Sequence, residues 1–295
     1  MCVGKNPGDV VCEGTKRVKC GPDLVTTEEL ETCSEKIQVC TAAGCMTPSC
    51  AGLSATCGPK GDEDCCASTV VRGGTYNRSN DSKYPATVSD FRLDRFEITV
   101  GRFRAFVAAY PGSKPAAGAG AHPLIAGSGW DTAWDSNLPV DPSKLMAAVK
   151  CSSFRTWTDA AGANENLPMN CISWFEAFAF CAWDGGRLPT EAEWNYASAG
   201  GSEQRSYPWG SATPDAAHAV YDCNGNGLPA PDCVVADILK VGSKPAGDGR
   251  WGQTDMAGSM QEWNLDWYKD IYLTPCTNCA NTDPASTRVV RWGVE

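Results

Sequence analysis

The sequence predicts an α+β fold with much irregular structure over residues 67–295, preceded by a small disulfide-rich region over residues 1–66. Three observations predict this arrangement. Ten of the 17 cysteines lie in residues 1–66, which contain no Phe, Tyr or Trp. All 11 tryptophans lie after residue 129, in a part of the chain rich in glycine and proline. That part carries start signals for three short helices, and irregular segments packed around aromatic side chains are expected to connect them.

Disulfides are expected to stabilise residues 1–66. The region has ten Val, Leu and Ile side chains in all, too little apolar surface to offset the entropy of ordering its backbone. Ten cysteines can close five bridges, whose connectivity does not follow from the sequence. A weak repeat of Cys-x-Gly followed by Cys-Gly-Pro, at 12–22 and 50–59, indicates small cross-linked loops in series. We interpret the region as a stalk without a ligand, the alternative being an adhesion or spacer module.

Three short helices are predicted from apolar spacing and from the residues that cap them. Their N-caps, with the glutamates that complete two capping boxes, are Thr99, Ser173 with Glu176, and Thr190 with Glu193. Pro111 ends the first helix, and a Gly-Gly pair ends each of the other two. Each has two to three turns, so packing against the rest of the domain must stabilise it. Residues 112–129, rich in Gly, Ala and Pro, are predicted to form a loop.

The cysteine count indicates an oxidising compartment, because thiols pair and persist as disulfides there. Cytosolic metal clusters, the alternative, need paired spacings with histidine, and the chain has two isolated histidines, His122 and His218. The odd count leaves at least one thiol without a partner in this chain. No signal peptide follows Met1, so either the start is a fragment or a leader has been removed. We therefore expect an extracytoplasmic bacterial protein that is secreted, periplasmic or surface-anchored.

Charge and hydropathy exclude two classes of partner. The net charge is -10, and an acidic chain repels phosphate backbones, so no nucleic-acid partner is expected. No run of about 18 apolar residues occurs, so no membrane span is expected.

A series of motifs resembles the formylglycine-generating enzyme, or sulfatase-modifying factor, family over roughly residues 70–291. In chain order the motifs are Gly-Gly-Thr-Tyr at 73–76, Phe-Arg-Leu-Asp-Arg-Phe-Glu-Ile-Thr at 91–99, Leu-Pro-Met-Asn-Cys-Ile-Ser-Trp at 167–174, Gly-Arg-Leu-Pro-Thr-Glu-Ala-Glu-Trp at 186–194, Pro-Trp-Gly at 208–210 and Asp-Met-Ala-Gly-Ser-Met-Gln-Glu-Trp at 255–263. The resemblance implies a C-type-lectin-like fold variant with little regular structure. The 187–194 stretch is interpreted as structural: a turn, a capped helix and a core tryptophan.

The resemblance also implies a structural calcium site, because the family segment that matches residues 255–262 binds calcium. Carried over by position, the ligands are the side chains of Asp255 and Glu262 and the carbonyl oxygens of Gly258 and Met260. Calcium takes six to eight oxygen ligands from carboxylates and carbonyls, so this loop would supply about half of its shell. The alternative is a turn with two solvated carboxylates.

A second calcium candidate lies further upstream. Asp222, Asn224 and Asn226 place oxygens at positions one, three and five, with glycine at six, as at the start of an EF-hand loop. Cys233 stands where the closing glutamate is expected, and it is predicted to pair with Cys223. A disulfide-closed polar turn is therefore favoured over a metal site.

The remaining cysteines predict structural roles. Cys276 and Cys279 are interpreted as a small local disulfide or as members of two separate bridges, rather than as a redox or soft-metal pair. Among Cys151, Cys171 and Cys181, one bridge and one buried thiol are expected.

Family enzymes oxidise a cysteine of a client sulfatase to formylglycine, using oxygen and copper(I) held by two cysteine thiolates that follow a Gly-Gly-Ser strand. Here residues 288–291 begin that strand, but residues 292–295 depart from it. We therefore assign no catalytic residue or copper ligand and expect a C-terminally truncated domain. A sister branch that uses iron held by three histidines is excluded, because the histidines are isolated. Three hypotheses stay open: an oxidase of a client protein or peptide, a non-catalytic extracellular ligand- or protein-binding module, and a non-functional fragment.

Overall fold

The structure, a computed structural model, describes residues 2, 4–33, 38–42, 44–223, 225 and 234–292. Its first part is a small β structure. Strands β1 (Val10–Glu13), β2 (Lys16–Cys20) and β3 (Thr27–Thr32) form an antiparallel sheet, and β4 (Val39–Cys40) pairs with β5 (Cys45–Met46). All six residues of β3 are exposed, so this sheet has little core of its own.

Five disulfides cross-link residues 2–66, as the cysteine count predicts. They are Cys2–Cys20, Cys12–Cys40, Cys33–Cys45, Cys50–Cys66 and Cys57–Cys65. The two copies of the weak sequence repeat differ in structure and in disulfide pairing. Residues 12–20 belong to a sheet, whereas residues 50–57 follow a 3-10 turn.

Residues 47–66 pack against the rest of the chain. Thr56 and Asn166 exchange two hydrogen bonds of 2.8 Å, and the Cys57–Cys65 bridge packs on Phe96 and Val241. The predicted division at residue 66 therefore falls within a continuous packed region, and it stays a prediction as a domain boundary.

The larger part has mixed α and β structure with three small sheets. Strand β6 (Ser68–Val71) pairs with β9 (Phe91–Asp94), and β8 (Pro85–Val88) lies between β7 (Gly74–Asn77) and β11 (Cys276–Thr277). Strand β10 (Glu262–Trp267) pairs with β12 (Arg288–Arg291). The helices are α1 (Val100–Ala109), α2 (Pro142–Ala148), α3 (Trp174–Trp183) and α4 (Glu191–Ser198).

The three predicted helices are confirmed, each with its cap. The Thr99 hydroxyl accepts a hydrogen bond from the Arg102 N–H at 3.2 Å. Ser173 and Thr190 begin α3 and α4, and each forms the predicted capping box with the glutamate three residues on. Residues 112–129 form turns, as predicted.

Helix α2 was not predicted. Its N-cap Asp141 accepts a hydrogen bond from the Lys144 N–H at 2.9 Å, and Pro142 occupies the first turn. These residues are a helix-start signal, but seven residues are too short for apolar periodicity to support it.

The main core is aromatic and lies between α1 and α3. Phe103 of α1 stacks on Phe180 of α3 with ring centroids 5.8 Å apart, and Trp134 meets Trp174 edge-on at 5.2 Å. A second cluster packs Trp194 of α4 beneath β6 to β9. Within the described ranges, no helix has the length and apolar character needed to cross a bilayer.

Candidate functional site

The loop over residues 255–262 turns sharply before it enters β10. Asp255, Gly258 and Ser259 all have positive φ, of 58°, 88° and 59°. A Cβ at Gly258 would lie 2.2 Å from the Val220 carbonyl oxygen, so only glycine fits there. Among the residues that the structure describes, the Gly258 and Met260 carbonyl oxygens accept no hydrogen bond, which leaves both available to a cation.

Both predicted carboxylate ligands of this loop are half-buried. Asp255 accepts hydrogen bonds from the Gly242 N–H at 2.5 Å and the Thr254 hydroxyl at 3.0 Å. Partial burial raises the pKa of Asp255, and these hydrogen bonds oppose the rise. Burial also raises the pKa of Glu262 to about 7, against a hydrogen bond from the Trp194 indole and with a contribution from the Asp255 charge. Both carboxylates are thus held by hydrogen bonds and only partly exposed.

A third carboxylate, which the sequence did not single out, faces the same loop. Glu97 accepts hydrogen bonds from the Met260 N–H and the Ser259 hydroxyl, both at 3.1 Å. Burial and the charges on Asp255 and Glu262 raise the pKa of Glu97 well above its usual range. Its one sequence signal is an acidic residue between apolar neighbours at 96 and 98.

The chemistry of the donors fits calcium. Three carboxylates that disfavour each other's ionisation would each be stabilised by a divalent cation. The described residues include no group of three His, Cys, Asp or Glu side chains arranged to hold a metal without other donors. A cation at this loop would therefore also need the carbonyl oxygens of Gly258 and Met260. Both belong to the ligand set that the resemblance implies.

The second calcium candidate falls mostly outside the described residues. Asn224, Asn226 and Cys233 are among the residues that the structure leaves out. Asp222 and Cys223 are described, both with positive φ of 48° and 56°, and Cys223 is disulfide-bonded. The proposed metal set and the Cys223–Cys233 pairing stay predictions.

The other cysteine pairs form as predicted, whereas the remaining thiol, which was expected to be buried, is half-buried. Cys276 pairs with Cys279 as a local bridge, and Cys151 pairs with Cys171. Cys181 is the free thiol within the described ranges, and burial raises its pKa to about 12. The copper(I) site that the resemblance implies requires two thiolates. The described residues offer one free thiol, and its raised pKa keeps it protonated, so they do not fit that ion.

A cleft of about 300 Å³ lies where β12 meets the start of α4. Buried Glu191 there contacts Arg291 and lies 3.6 Å from Arg78. Burial raises the pKa of Asp266, also in the cleft, to about 6. Ile271, which is 67% exposed, adds an apolar rim. The cleft thus joins buried opposite charges to apolar surface.

The two histidines have separate partners. His122 is buried and lies 3.3 Å from Glu193, whereas His218 lies 2.7 Å from Asp215 and packs on Trp209. A three-histidine iron site would need a third histidine, which the sequence lacks.

Comparisons with known proteins show which family the chain resembles. The family described as sulfatase-modifying factor enzyme 1-like domain matches residues 54–294. The formylglycine-generating enzyme of Thermomonospora curvata is 28% identical over 215 residues, which are 67% of this chain and 66% of that protein. The hercynine oxygenase of Mycolicibacterium thermoresistibile is 42% identical over 100 residues, 32% of this chain and 20% of that protein.

A third relative carries the name inactive C-alpha-formylglycine-generating enzyme 2, from Mus musculus. It is 30% identical over 198 residues, which are 62% of this chain and 60% of that protein. The matches thus span at most 66% of the length of these three relatives.

Proposed function

We propose, since the chain belongs to the family of sulfatase-modifying factor enzyme 1-like domains, that it is a calcium-stabilised, formylglycine-generating-enzyme-like domain that binds a client protein or peptide. The 255–262 loop carries the proposal, because one tight turn combines two half-buried, hydrogen-bonded carboxylates with two carbonyl oxygens that accept no hydrogen bond from the described residues. The C-type-lectin-like scaffold is part of the proposal. The many disulfides support an extracytoplasmic location, since such bridges persist in oxidising compartments.

In the proposed site, Asp255 and Glu262 give side-chain oxygens, and Gly258 and Met260 give carbonyl oxygens. Bound calcium would neutralise the carboxylates and so stabilise the loop. Glu262 also accepts a hydrogen bond from Trp194 of α4, so the same residue joins the loop to the helix of the 186–194 motif. That contact gives the motif a supporting part in the site.

We expect calcium to raise the melting temperature of the wild-type protein, and Glu262→Gln to lose at least about half of this gain. Calcium at about 100 times its Kd corresponds to about 2.7 kcal/mol. Loss of one ligand charge should weaken binding at least about tenfold, which is about 1.4 kcal/mol. Thermal unfolding with calcium, with magnesium and with EDTA measures both effects.

The control for this experiment is Asp283→Asn, which removes an exposed carboxylate that pairs with Lys269. This variant should gain as much from calcium as the wild type. Equal melting temperatures of the wild type in calcium and in EDTA would refute the calcium site.

Binding of a client polypeptide is proposed ahead of its oxidation, because the described residues form a cleft that can take an extended segment. The relative named as inactive agrees with this choice. Copper-dependent oxidation of a client cysteine is the second candidate, and the similarity to the enzyme of Thermomonospora curvata favours it. Both hypotheses require a surface that takes a client polypeptide.

The cleft at β12 is that surface in this proposal. Its buried ion pair can meet the polar backbone of an extended segment, while Ile271 and half-exposed Tyr268 give it apolar contacts. Both residues are largely exposed within the described part of the chain, Ile271 at 67% and Tyr268 at 52%.

We expect a sulfatase peptide that contains the client cysteine to bind the protein, and Ile271→Asp to weaken this binding at least about tenfold by placing a charge in the apolar contact. Fluorescence anisotropy measures binding, and mass spectrometry of the peptide detects formylglycine. Val140→Asp is the matched control, because Val140 is 73% exposed and lies outside the cleft. Absence of binding would refute the proposal, and formylglycine in the peptide would replace it with the oxidase hypothesis.

A further inference from the structure

Glu97 joins the opening strands of the domain to the loop near its end. It lies between β9 and α1, while the residues that it contacts, Ser259 and Met260, are more than 160 positions away in the chain. One carboxylate oxygen accepts from the Ser259 hydroxyl and the other from the Met260 N–H. Glu97 thus anchors the residue whose carbonyl is a proposed calcium ligand.

Glu97 is half-buried, and no salt bridge joins it to a cationic side chain of the described residues. Both of its carboxylate oxygens instead accept hydrogen bonds from the loop that carries the proposed ligands.

We infer that Glu97 is a positioning residue of the cation site, which holds the 255–262 loop through its two hydrogen bonds. The inference rests on the calcium site proposed above. Glu97 is assigned outside the coordination shell, because both of its carboxylate oxygens accept hydrogen bonds from the loop. Residues that orient ligands in this way are a general part of metal sites.

A positioning role makes different predictions with and without calcium. Glu97→Gln keeps one acceptor oxygen and loses the other hydrogen bond, because its amide nitrogen cannot accept one. The loop is then held less firmly in the ligand geometry, so calcium affinity should fall by more than stability without calcium. A residue that only fills space or braces the fold would lower stability equally in both conditions.

The experiment compares the wild type with Glu97→Gln by thermal unfolding in EDTA and in calcium, and by calcium titration calorimetry. We expect the variant to melt close to the wild type in EDTA, to gain less from calcium, and to bind calcium at least about tenfold more weakly. Glu97→Asp, which keeps both acceptor oxygens but shortens the reach, should recover part of the affinity. Glu176→Gln is the matched control, because Glu176 is a buried capping carboxylate on α3 that does not contact this loop.

Each outcome separates this inference from the calcium proposal. If the wild type gains stability from calcium and Glu97→Gln binds calcium with the same Kd, the positioning role is refuted and the calcium site stands. If Glu97→Gln lowers the melting temperature equally in both conditions, Glu97 is a structural residue and the inference is also refuted. If the wild type does not respond to calcium, the proposed site fails and this inference fails with it.

Discussion

Arg102→Met is expected to destabilise the fold by about 3–5 kcal/mol, because it leaves a buried carboxylate without its cation. The Arg102 guanidinium lies 2.7 Å from Asp184, and the two side chains are 4% and 5% exposed. Asp184 at the end of α3 also accepts hydrogen bonds from the N–H and the hydroxyl of Ser49, both at 2.7 Å. The Arg102 Nε donates to the same hydroxyl at 3.0 Å, so the pair connects α1, α3 and the segment that precedes the domain.

Urea unfolding measures this effect, with Arg72→Met as the matched control. Arg72 lies 2.6 Å from Asp90, but these side chains are 76% and 53% exposed, so their pair should be worth at most about 1 kcal/mol. Combining Arg102→Met with Asp184→Leu should recover part of the loss, because the uncompensated charge is then gone. If Arg102→Met costs no more than Arg72→Met, the buried pair does not hold these elements together.

Local hydrogen bonds explain why the helix starts could be predicted. The caps at Thr99, Ser173 and Thr190 join residues that are three positions apart, so the whole interaction is visible in the sequence. Helix α2 has an equivalent signal at Asp141, yet its seven residues gave no periodic pattern to support it. A cap residue therefore marks where a helix begins. Apolar spacing is a weaker guide for a short helix, because too few residues are available to show a period.

The candidate site shows the opposite case. The family resemblance implied the ligands of the 255–262 loop, all four of which lie within one continuous motif of the sequence. Glu97 was missed, because its contacts with Ser259 and Met260 arise when the first and last parts of the domain pack together. The same limit applies to the disulfides: the count predicted five bridges in residues 1–66, whereas pairs such as Cys12–Cys40 depend on how the strands fold.

Replacing both Cys12 and Cys40 by Ala is expected to unfold the sheet of β1, β2 and β3 while the rest of the domain stays folded. The bridge spans 28 residues, and losing it should cost about 3–4 kcal/mol through the greater freedom of the unfolded segment. The described part of residues 2–46 contains four buried apolar residues, namely Cys2, Val18, Cys20 and Cys33. Such a small core cannot offset that loss, since β3 is exposed along its whole length.

Hydrogen exchange read by mass spectrometry separates local from global unfolding. Amides in β1, β2 and β3 should lose protection in the Cys12→Ala/Cys40→Ala variant, while those in α1 and α3 keep it. The matched control replaces Cys276 and Cys279, whose bridge spans three residues and should contribute about 2 kcal/mol in a region that retains its packed core. Full protection of β1 to β3 without the bridge would show that the strands, rather than the disulfides, stabilise this region. Loss of protection in α1 as well would show that the disulfide-rich region and the domain fold as one cooperative unit.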